Sequence, residues 1–213
     1  MGTTAGRCVM LVLKCREELN PKDMERAAEI VRTGGVVVYP TDTVYGMGCD
    51  LNNPQAIGRV YSIKKLNHRK PLSLLCSDLK QISAYAQFSG PAFNLMKRIT
   101  PGPYTLVMQG TRLVPRIMMT KQRTVGIRIP DNDICLELIR SLGNPLVNTS
   151  ASDMELDELS DPKIIAERYP NIDLLIDAGP LPCEYSTILD ISTSPVTILR
   201  EGKGPVEEFI SEI

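Results

Sequence analysis

The sequence predicts an α/β protein, and three observations support this fold class. Helical and strand-like segments alternate along the chain. Short, wholly apolar runs such as Val36–Tyr39 are typical of strands that are covered on both faces. The last segments are strand-like without helices between them, which indicates some antiparallel pairs near the C-terminal end.

Each predicted element follows from a local signal. Asn20-Pro21 opens the first helix, because asparagine caps a helix N-terminus and proline fits its first turn, and Gly34-Gly35 ends it. Asn53-Pro54 opens a second helix that reaches about Leu66. Further helices are predicted over residues 78–86, 91–99, 131–142 and 161–169. Strands are predicted over residues 8–13, Val36–Tyr39, Leu72–Cys76, 104–109, 123–129, 145–149, 172–176, 187–191 and 196–200.

The composition of the 213-residue chain excludes several functional classes. The one histidine, His68, argues against histidine-rich metal sites, and neither a P-loop nor a GxGxxG dinucleotide fingerprint is present. The six cysteines form no CxxC pair, so they indicate reduced, mostly buried thiols of a cytoplasmic protein. No apolar run approaches the ~20 residues of a membrane span. We expect a single domain over residues 1–213.

The charge distribution points to an anionic ligand. The formal net charge is −1. Residues 51–130 nevertheless carry 13 lysines and arginines and one acid, Asp78, whereas residues 131–213 carry 5 basic and 17 acidic residues. The basic part would attract an anion unless the fold brings the two parts together and neutralises them.

Residues 40–48 (Pro-Thr-Asp-Thr-Val-Tyr-Gly-Met-Gly) form the first candidate site. They follow an apolar strand, and open α/β sheets bind ligands at the C-terminal ends of their strands. The segment offers hydroxyls, the carboxylate of Asp42, and two glycines that allow a ligand to approach closely. The alternative is a hydroxyl-rich turn whose glycines serve geometry alone.

The second candidate is the basic run Lys64-Lys-Leu-Asn-His-Arg-Lys70. Lys64 continues the inner stripe that Ile57, Val60 and Tyr61 form on the preceding helix. Its ammonium must therefore reach solvent, pair with another group or contact a ligand. An anion site and a simple interaction with the helix C-terminus both agree with this pattern.

The third candidate is the strand Arg123-Thr-Val-Gly-Ile-Arg-Ile-Pro130. Alternation places Thr124, Gly126 and Arg128 on one face of this strand. The guanidinium of Arg128 suits a carboxylate or a phosphate, because its fork donates two parallel hydrogen bonds. A solvated sheet face is the alternative interpretation.

The fourth candidate combines Asn148-Thr-Ser-Ala-Ser152 with Ser186-Thr187 and Arg200. Hydroxyls at strand ends can bind a sugar or a phosphate, although they are also common caps.

Together these segments resemble the YrdC/YciO family of threonylcarbamoyl-AMP synthases, and most of all its YciO-like branch. The resemblance covers about residues 20–205 and implies a twisted open mixed sheet with flanking helices around a basic cavity. The matching stretches stand in family order: Tyr39-Pro-Thr-Asp-Thr-Val-Tyr-Gly46, Lys64 with Lys70-Pro-Leu72, Pro101-Gly-Pro-Tyr-Thr105, Thr124-Val-Gly-Ile-Arg-Ile-Pro130, Thr149-Ser-Ala151, Ser186-Thr-Ile-Leu-Asp190 and Leu199-Arg200.

The resemblance also implies a reaction. L-Threonine and bicarbonate would give a carbamate that attacks the α-phosphate of ATP, and the resulting adenylate would serve other proteins that modify adenosine 37 of tRNA. Fixed cations and oriented donors would offset the phosphate charge. Mg²⁺ would accompany ATP, since no carboxylate cluster indicates a metal held by the protein.

By their positions in these motifs, nine residues are implied as ligand contacts, and none is assigned a catalytic role. Thr43, Arg128 and Ser186 would bind threonine, with Arg128 on its carboxylate. The contacts with ATP would be Lys64, Lys70, Thr124, Ser150, Ser152 and Arg200.

The chain departs from the family pattern at two positions. Leu66 stands where the family has an arginine, and Ser152 stands where it has an asparagine. A lost phosphate contact costs about 1.5–3 kcal/mol, so a synthase of reduced activity is expected. Lys65, Arg69 or Lys70 could take over from the missing arginine.

Two other functions remain open at this point. A paralogue could bind double-stranded RNA or tRNA through the basic face, with a steep dependence on salt. An enzyme could instead use the same cavity for another small anion. The acidic segment 151–160 is expected to act as a mobile lid.

Overall fold

The computed structural model describes residues 10–15, 20–67, 70–152 and 160–207, and all structural statements refer to these residues. They form six α-helices, one short 3-10 helix (Arg116–Met118) and eleven strands. The helices are α1 (Pro21–Arg32), α2 (Pro54–Ile63), α3 (Leu79–Tyr85), α4 (Gly90–Ile99), α5 (Asp133–Leu142) and α6 (Pro162–Arg168). The strands are β1 (Leu11–Lys14), β2 (Val37–Tyr39), β3 (Gly46–Asp50), β4 (Ser73–Leu75), β5 (Ala86–Gln87), β6 (Tyr104–Gly110), β7 (Thr124–Arg128), β8 (Leu146–Ser150), β9 (Leu174–Asp177), β10 (Thr187–Asp190) and β11 (Thr197–Arg200).

The predicted helix starts are confirmed, and the side chains explain them. The Asn20 side chain accepts a hydrogen bond from the Lys22 amide, and the Asn53 side chain accepts one from the Ala56 amide. Each bond satisfies an amide that the helix itself leaves without a partner.

All eleven strands belong to one mixed sheet, which confirms the predicted fold class. The order is β1-β9-β2-β3-β8-β4-β7-β6-β10-β11, and β5 pairs with β6. Pairs β1/β9, β2/β9, β4/β7 and β6/β10 are parallel. The antiparallel pair predicted near the C-terminal end is confirmed by β10/β11, and further antiparallel pairs, β2/β3, β3/β8 and β4/β8, lie in the middle of the sheet.

Strand β3 was missed because its sequence, Gly-Met-Gly-Cys-Asp, contains residues that strands disfavour. Its glycines allow close backbone packing. A Cβ atom at Gly48 would lie 1.8 Å from the Val147 carbonyl oxygen of β8, and one at Gly46 would lie 2.6 Å from the Tyr39 ring. The prediction that both glycines allow a ligand to approach is therefore wrong for Gly48, because strand β8 occupies the space beside it.

Helices cover the two sides of the sheet differently. Helices α2, α3, α4 and α6 contribute to a core on one face, with Ile57, Ile82 and Met96 among its buried side chains. Helices α1 and α5 pack on the other face, against Leu75 and Leu146.

Arg128 lies on the same face as α1 and α5. Leu75 pairs with Leu146 on β8 and with Arg128 on β7. Paired residues on neighbouring strands point to the same side of a sheet. Beyond Arg128, this face becomes polar and lines a pocket.

The prediction that most of the cysteines are buried is confirmed for four of the five described cysteines, Cys15, Cys49, Cys76 and Cys135. Burial raises the pKa of the Cys49 thiol to about 12. Cys8 and His68 lie outside the described residues, as does nearly all of the predicted lid. Among the helices of the described part, none combines the length and the hydrophobicity that crossing a bilayer requires.

Candidate functional site

The sheet and the turn after β2 enclose a pocket of about 400 Å³. This volume is typical of pockets for small molecules. Eight of the nine residues predicted as ligand contacts line it: Thr43, Lys70, Thr124, Arg128, Ser150, Ser152, Ser186 and Arg200. Sequence motifs spread over more than 150 positions therefore converge on one site.

The charge of the lining has one sign. Among the described residues, the charged side chains in the lining are Lys70, Arg128 and Arg200. Most of the other polar lining groups are threonine and serine hydroxyls, which can donate and accept hydrogen bonds. Such a lining can hold an anion and orient its oxygens.

Arg128, at the end of β7, is buried and held from three sides. Its Nε donates to the Gly102 carbonyl at 3.1 Å, and its Nη1 donates to Thr43 Oγ1 at 2.7 Å. Its Nη2 donates to Asp42 Oδ1 at 2.5 Å in a buried ion pair. The interpretation of this strand face as solvated is therefore wrong, since Thr124 and Arg128 are both buried.

The turn between β2 and β3 presents Thr43 to Arg128. Thr41 Oγ1 donates to the Val44 carbonyl at 2.7 Å and accepts from the Thr43 amide at 3.1 Å. These bonds fix the turn, as threonine hydroxyls often do. The sequence indicated a polar turn here, but it gave Asp42 no partner.

Arg200, at the end of β11, forms a second cationic group in the pocket. Its Nε and Nη2 donate to the Ser186 carbonyl at 3.0 and 2.7 Å, and its guanidinium lies 5.3 Å from the centre of the Tyr185 ring. Burial lowers the pKa of Arg200, and repulsion from the Arg128 charge lowers it further. The two arginines line the same pocket.

Lys64 lies behind the pocket wall and is the one predicted contact outside the lining. Its Nζ donates to Tyr169 Oη at 2.8 Å and to the carbonyls of Ala151 at 3.0 Å and Ser152 at 3.3 Å. The expectation of a buried, inward-facing lysine is confirmed, since Lys64 is 8% exposed. Its contact with ATP stays a prediction.

Lys70 is the side chain of the basic run that reaches the pocket. It is exposed, and so is Lys65, which is not among the lining residues. Arg69 lies outside the described residues. Of the described candidates for replacing the missing arginine, Lys70 has the better position.

Several lining residues were missed, including Thr120, Tyr185, Ile188 and Leu199. Ile188 and Leu199 lie within quoted motifs but were not predicted as ligand contacts, and strand register could have found Ile188. Thr105 and Val107 alternate on β6, and the register of β6 against β10 pairs Thr105 with Ile188. Thr187, its neighbour, points away, and its Oγ1 donates to the Gly204 carbonyl at 2.5 Å.

The described residues contain no group of three or more histidines, cysteines or acids that could hold a metal ion. The described lining also contains no carboxylate.

Comparison with known proteins agrees with this geometry. Residues 29–202 match the Sua5/YciO/YrdC family model, which is described as "Telomere recombination". The chain is similar to an uncharacterised protein of Haemophilus influenzae, with 40% identity over 88% of this chain and 92% of that protein. It is 39% identical to Escherichia coli YciO over 90% of this chain and 95% of YciO. The crystal structure of E. coli YciO superposes with a TM-score of 0.89, and covers 94% of this chain and 100% of that one at 35% identity.

Named synthases are more distant. The chain is 31% identical to the threonylcarbamoyl-AMP synthase of Pyrococcus abyssi, over 93% of this chain and 59% of that enzyme. The structure of P. abyssi Sua5 complexed with L-threonine superposes with a TM-score of 0.90 at 31% identity, over 96% of this chain and 62% of that one.

Proposed function

The chain belongs to the Sua5/YciO/YrdC family, and from this premise we propose that it is an L-threonylcarbamoyladenylate synthase of reduced activity. Its substrates would be L-threonine, bicarbonate and ATP, and its product would serve the threonylcarbamoylation of adenosine 37 in tRNA. The observation that carries the proposal is the lining of the pocket, in which the described charged side chains are all cationic and come from separate motifs.

Two ends of the pocket suit two parts of the reaction. At one end, Arg128 and Thr43 would hold threonine, with Arg128 on its carboxylate, and Ser186 would contact threonine from the boundary with the other end, where Arg200 donates to its carbonyl. At the other end, Arg200, Lys70 and the hydroxyls of Thr124, Ser150 and Ser152 would hold ATP. Tyr45 closes part of the wall, because its Oη donates to the Gly179 carbonyl at 2.7 Å.

The chemistry needs positioning more than a protein nucleophile. The threonine nitrogen would bond to the carbon of bicarbonate with loss of water, and a carbamate oxygen would then attack the α-phosphorus of ATP. That step forms one P–O bond and breaks the bond to the β-phosphate oxygen, so pyrophosphate leaves. Fixed cations would offset the negative charge that develops on the phosphates.

The reduced activity follows from the nucleotide end. Leu66 replaces a family arginine and Ser152 replaces a family asparagine, and the ammonium of Lys64 is already hydrogen-bonded to backbone carbonyls. A missing charge-assisted contact lowers the rate or the affinity by roughly 10- to 150-fold. We expect this loss to affect the binding or reaction of ATP and not the binding of threonine.

The test is the release of pyrophosphate by the whole chain. Release should require ATP, L-threonine and bicarbonate together, and Mg²⁺ should enter only as the ATP complex. A serine or glycine in place of threonine serves as the matched control. Pyrophosphate release that does not depend on threonine would argue for another reaction in the same pocket.

One observation favours a second function, the binding of double-stranded RNA or tRNA. Arg112, Arg116, Lys121 and Arg123 are exposed on residues 111–123, outside the pocket lining, and this segment contains no acid. An RNA interface there would weaken steeply with salt and would need no threonine. Replacing Arg112 and Arg116 with glutamine should abolish RNA binding and leave pyrophosphate release intact. The two functions are thus separable.

A further inference from the structure

We propose that Asp42 determines which anion the Arg128 end of the pocket accepts. Its buried negative charge offsets the charge of Arg128, so this end takes a monoanionic carboxylate or an amino-acid zwitterion and rejects phosphate. The Arg200 end would take the phosphates. The identity of the amino acid rests on the proposed function, whereas the discrimination between anions does not.

The first support is the geometry of the pair. Asp42 Oδ1 accepts from Arg128 Nη2 at 2.5 Å, and both side chains are largely buried, with exposed fractions of 11% and 6%. A charge pair so shielded from water is screened much less than a surface pair. The offset therefore persists at the salt concentrations of a cell.

The second support is the remaining oxygen of the same carboxylate. Asp42 Oδ2 is buried and has no hydrogen-bond partner among the described residues. Its charge is consequently not spread over further donors, and it acts on whatever approaches Arg128. A purely structural partner of Arg128 would more often have both oxygens satisfied.

The third support is the contrast with the other end. Arg200 donates to the Ser186 carbonyl and hydroxyl, which carry no formal charge, and the lining contains no described acid beside it. Lys70 adds a second cation to the lining. A further cation beside Asp42 is Lys203, whose Nζ donates to the Asp42 carbonyl at 2.6 Å from an exposed position, where solvent screens it.

The Cys135 thiol responds to both charges of the pair. Burial is the main cause of the raised pKa of the Cys135 thiol, while Arg128 lowers that pKa and Asp42 raises it. At Cys135 the two charges therefore act in opposite directions.

The test compares two anions as competitors of L-threonine binding, measured by calorimetry. In the wild-type protein, acetate should compete with L-threonine and inorganic phosphate should not. In Asp42→Asn, which keeps the shape and an acceptor for Arg128, phosphate should become a competitor with an affinity gain of about tenfold, the effect of one charge at 4–6 Å. Asp42→Glu should keep the wild-type preference.

The matched control is Asp173→Asn, which neutralises another aspartate–arginine pair, with Arg59 at 2.8 Å, away from the lining. This variant should leave the competition unchanged. The proposal is overturned if phosphate displaces L-threonine from the wild type as readily as acetate does, a measurement that needs no variant. It is also overturned if folded Asp42→Asn keeps the wild-type discrimination.

Failure of the proposed function gives a different result. If L-threonine does not bind, phosphate is titrated directly into the wild type and Asp42→Asn. Extra phosphate binding by the variant, removed by adding Arg128→Lys, would uphold the role of Asp42 without the synthase. Equal phosphate binding by both proteins would overturn that role.

Discussion

The face of the sheet that carries Arg128 has two halves that differ in what covers them. On one half, α1 and α5 bury alanine, leucine and isoleucine side chains, including Ala27, Leu138 and Ile139. On the other half, the same face presents Thr124, Gly126 and hydroxyls of the neighbouring strands to the pocket. Strand alternation is identical in both halves. Whether α1 and α5 pack over a position therefore decides whether its side chain stabilises the fold or can contact a ligand.

Arg128 lies at the boundary between the halves, and its loss should have the largest effect. Arg128→Ala leaves the carboxylate of Asp42 buried without its cation, which should lower the free energy of unfolding by about 3–5 kcal/mol. It should also abolish the dependence of pyrophosphate release on threonine. Urea unfolding and steady-state kinetics measure the two effects. Threonine dependence that survives in the folded variant would contradict the threonine assignment.

Leu138→Ala tests the covered half. Leu138 is fully buried between α5 and the sheet, so its truncation should cost about 2–5 kcal/mol of unfolding free energy. The KM values for threonine and ATP should not change below the unfolding temperature. A changed KM at unaltered stability would mean that the halves are not independent.

Arg200→Ala tests the pocket half. The KM for ATP should rise roughly 10- to 100-fold, as expected for the loss of a charge-assisted contact. Stability should fall by only about 1 kcal/mol, because the freed Ser186 groups border the pocket and can be hydrated. A larger effect on the KM for threonine than on the KM for ATP would mean that Arg200 binds threonine and that the ligands assigned to the two ends must be exchanged.

Lys70→Ala should have the smallest effect. Lys70 is exposed at the pocket, and solvent-screened contacts contribute about 0.2–1 kcal/mol. We expect a few-fold rise in the KM for ATP and an unchanged melting temperature, with the exposed Lys65→Ala as the control. A loss as large as that of Arg200→Ala would instead show that Lys70 has taken over from the missing arginine.

Local signals in the sequence were sufficient for much of the fold. The asparagine caps of α1 and α2 act within three residues, so they can be read without the fold. The alternation of Val125 and Ile127 with Thr124 and Arg128 separates the core side of β7 from its pocket side. Strand β3 could not be read in this way, because its glycines are explained by contacts with Tyr39 and Val147 that belong to other strands.

The candidate site shows the same division. The sequence by itself determined which residue types were present, and the ordered motifs indicated eight residues that do line one pocket. Only the tertiary structure decided how their charges are used. It turned Lys64 towards the carbonyls of Ala151 and Ser152, and it paired Arg128 with Asp42. The physical reason is that a buried charge is governed by the groups within a few ångströms of it, and packing brings those groups from distant parts of the chain.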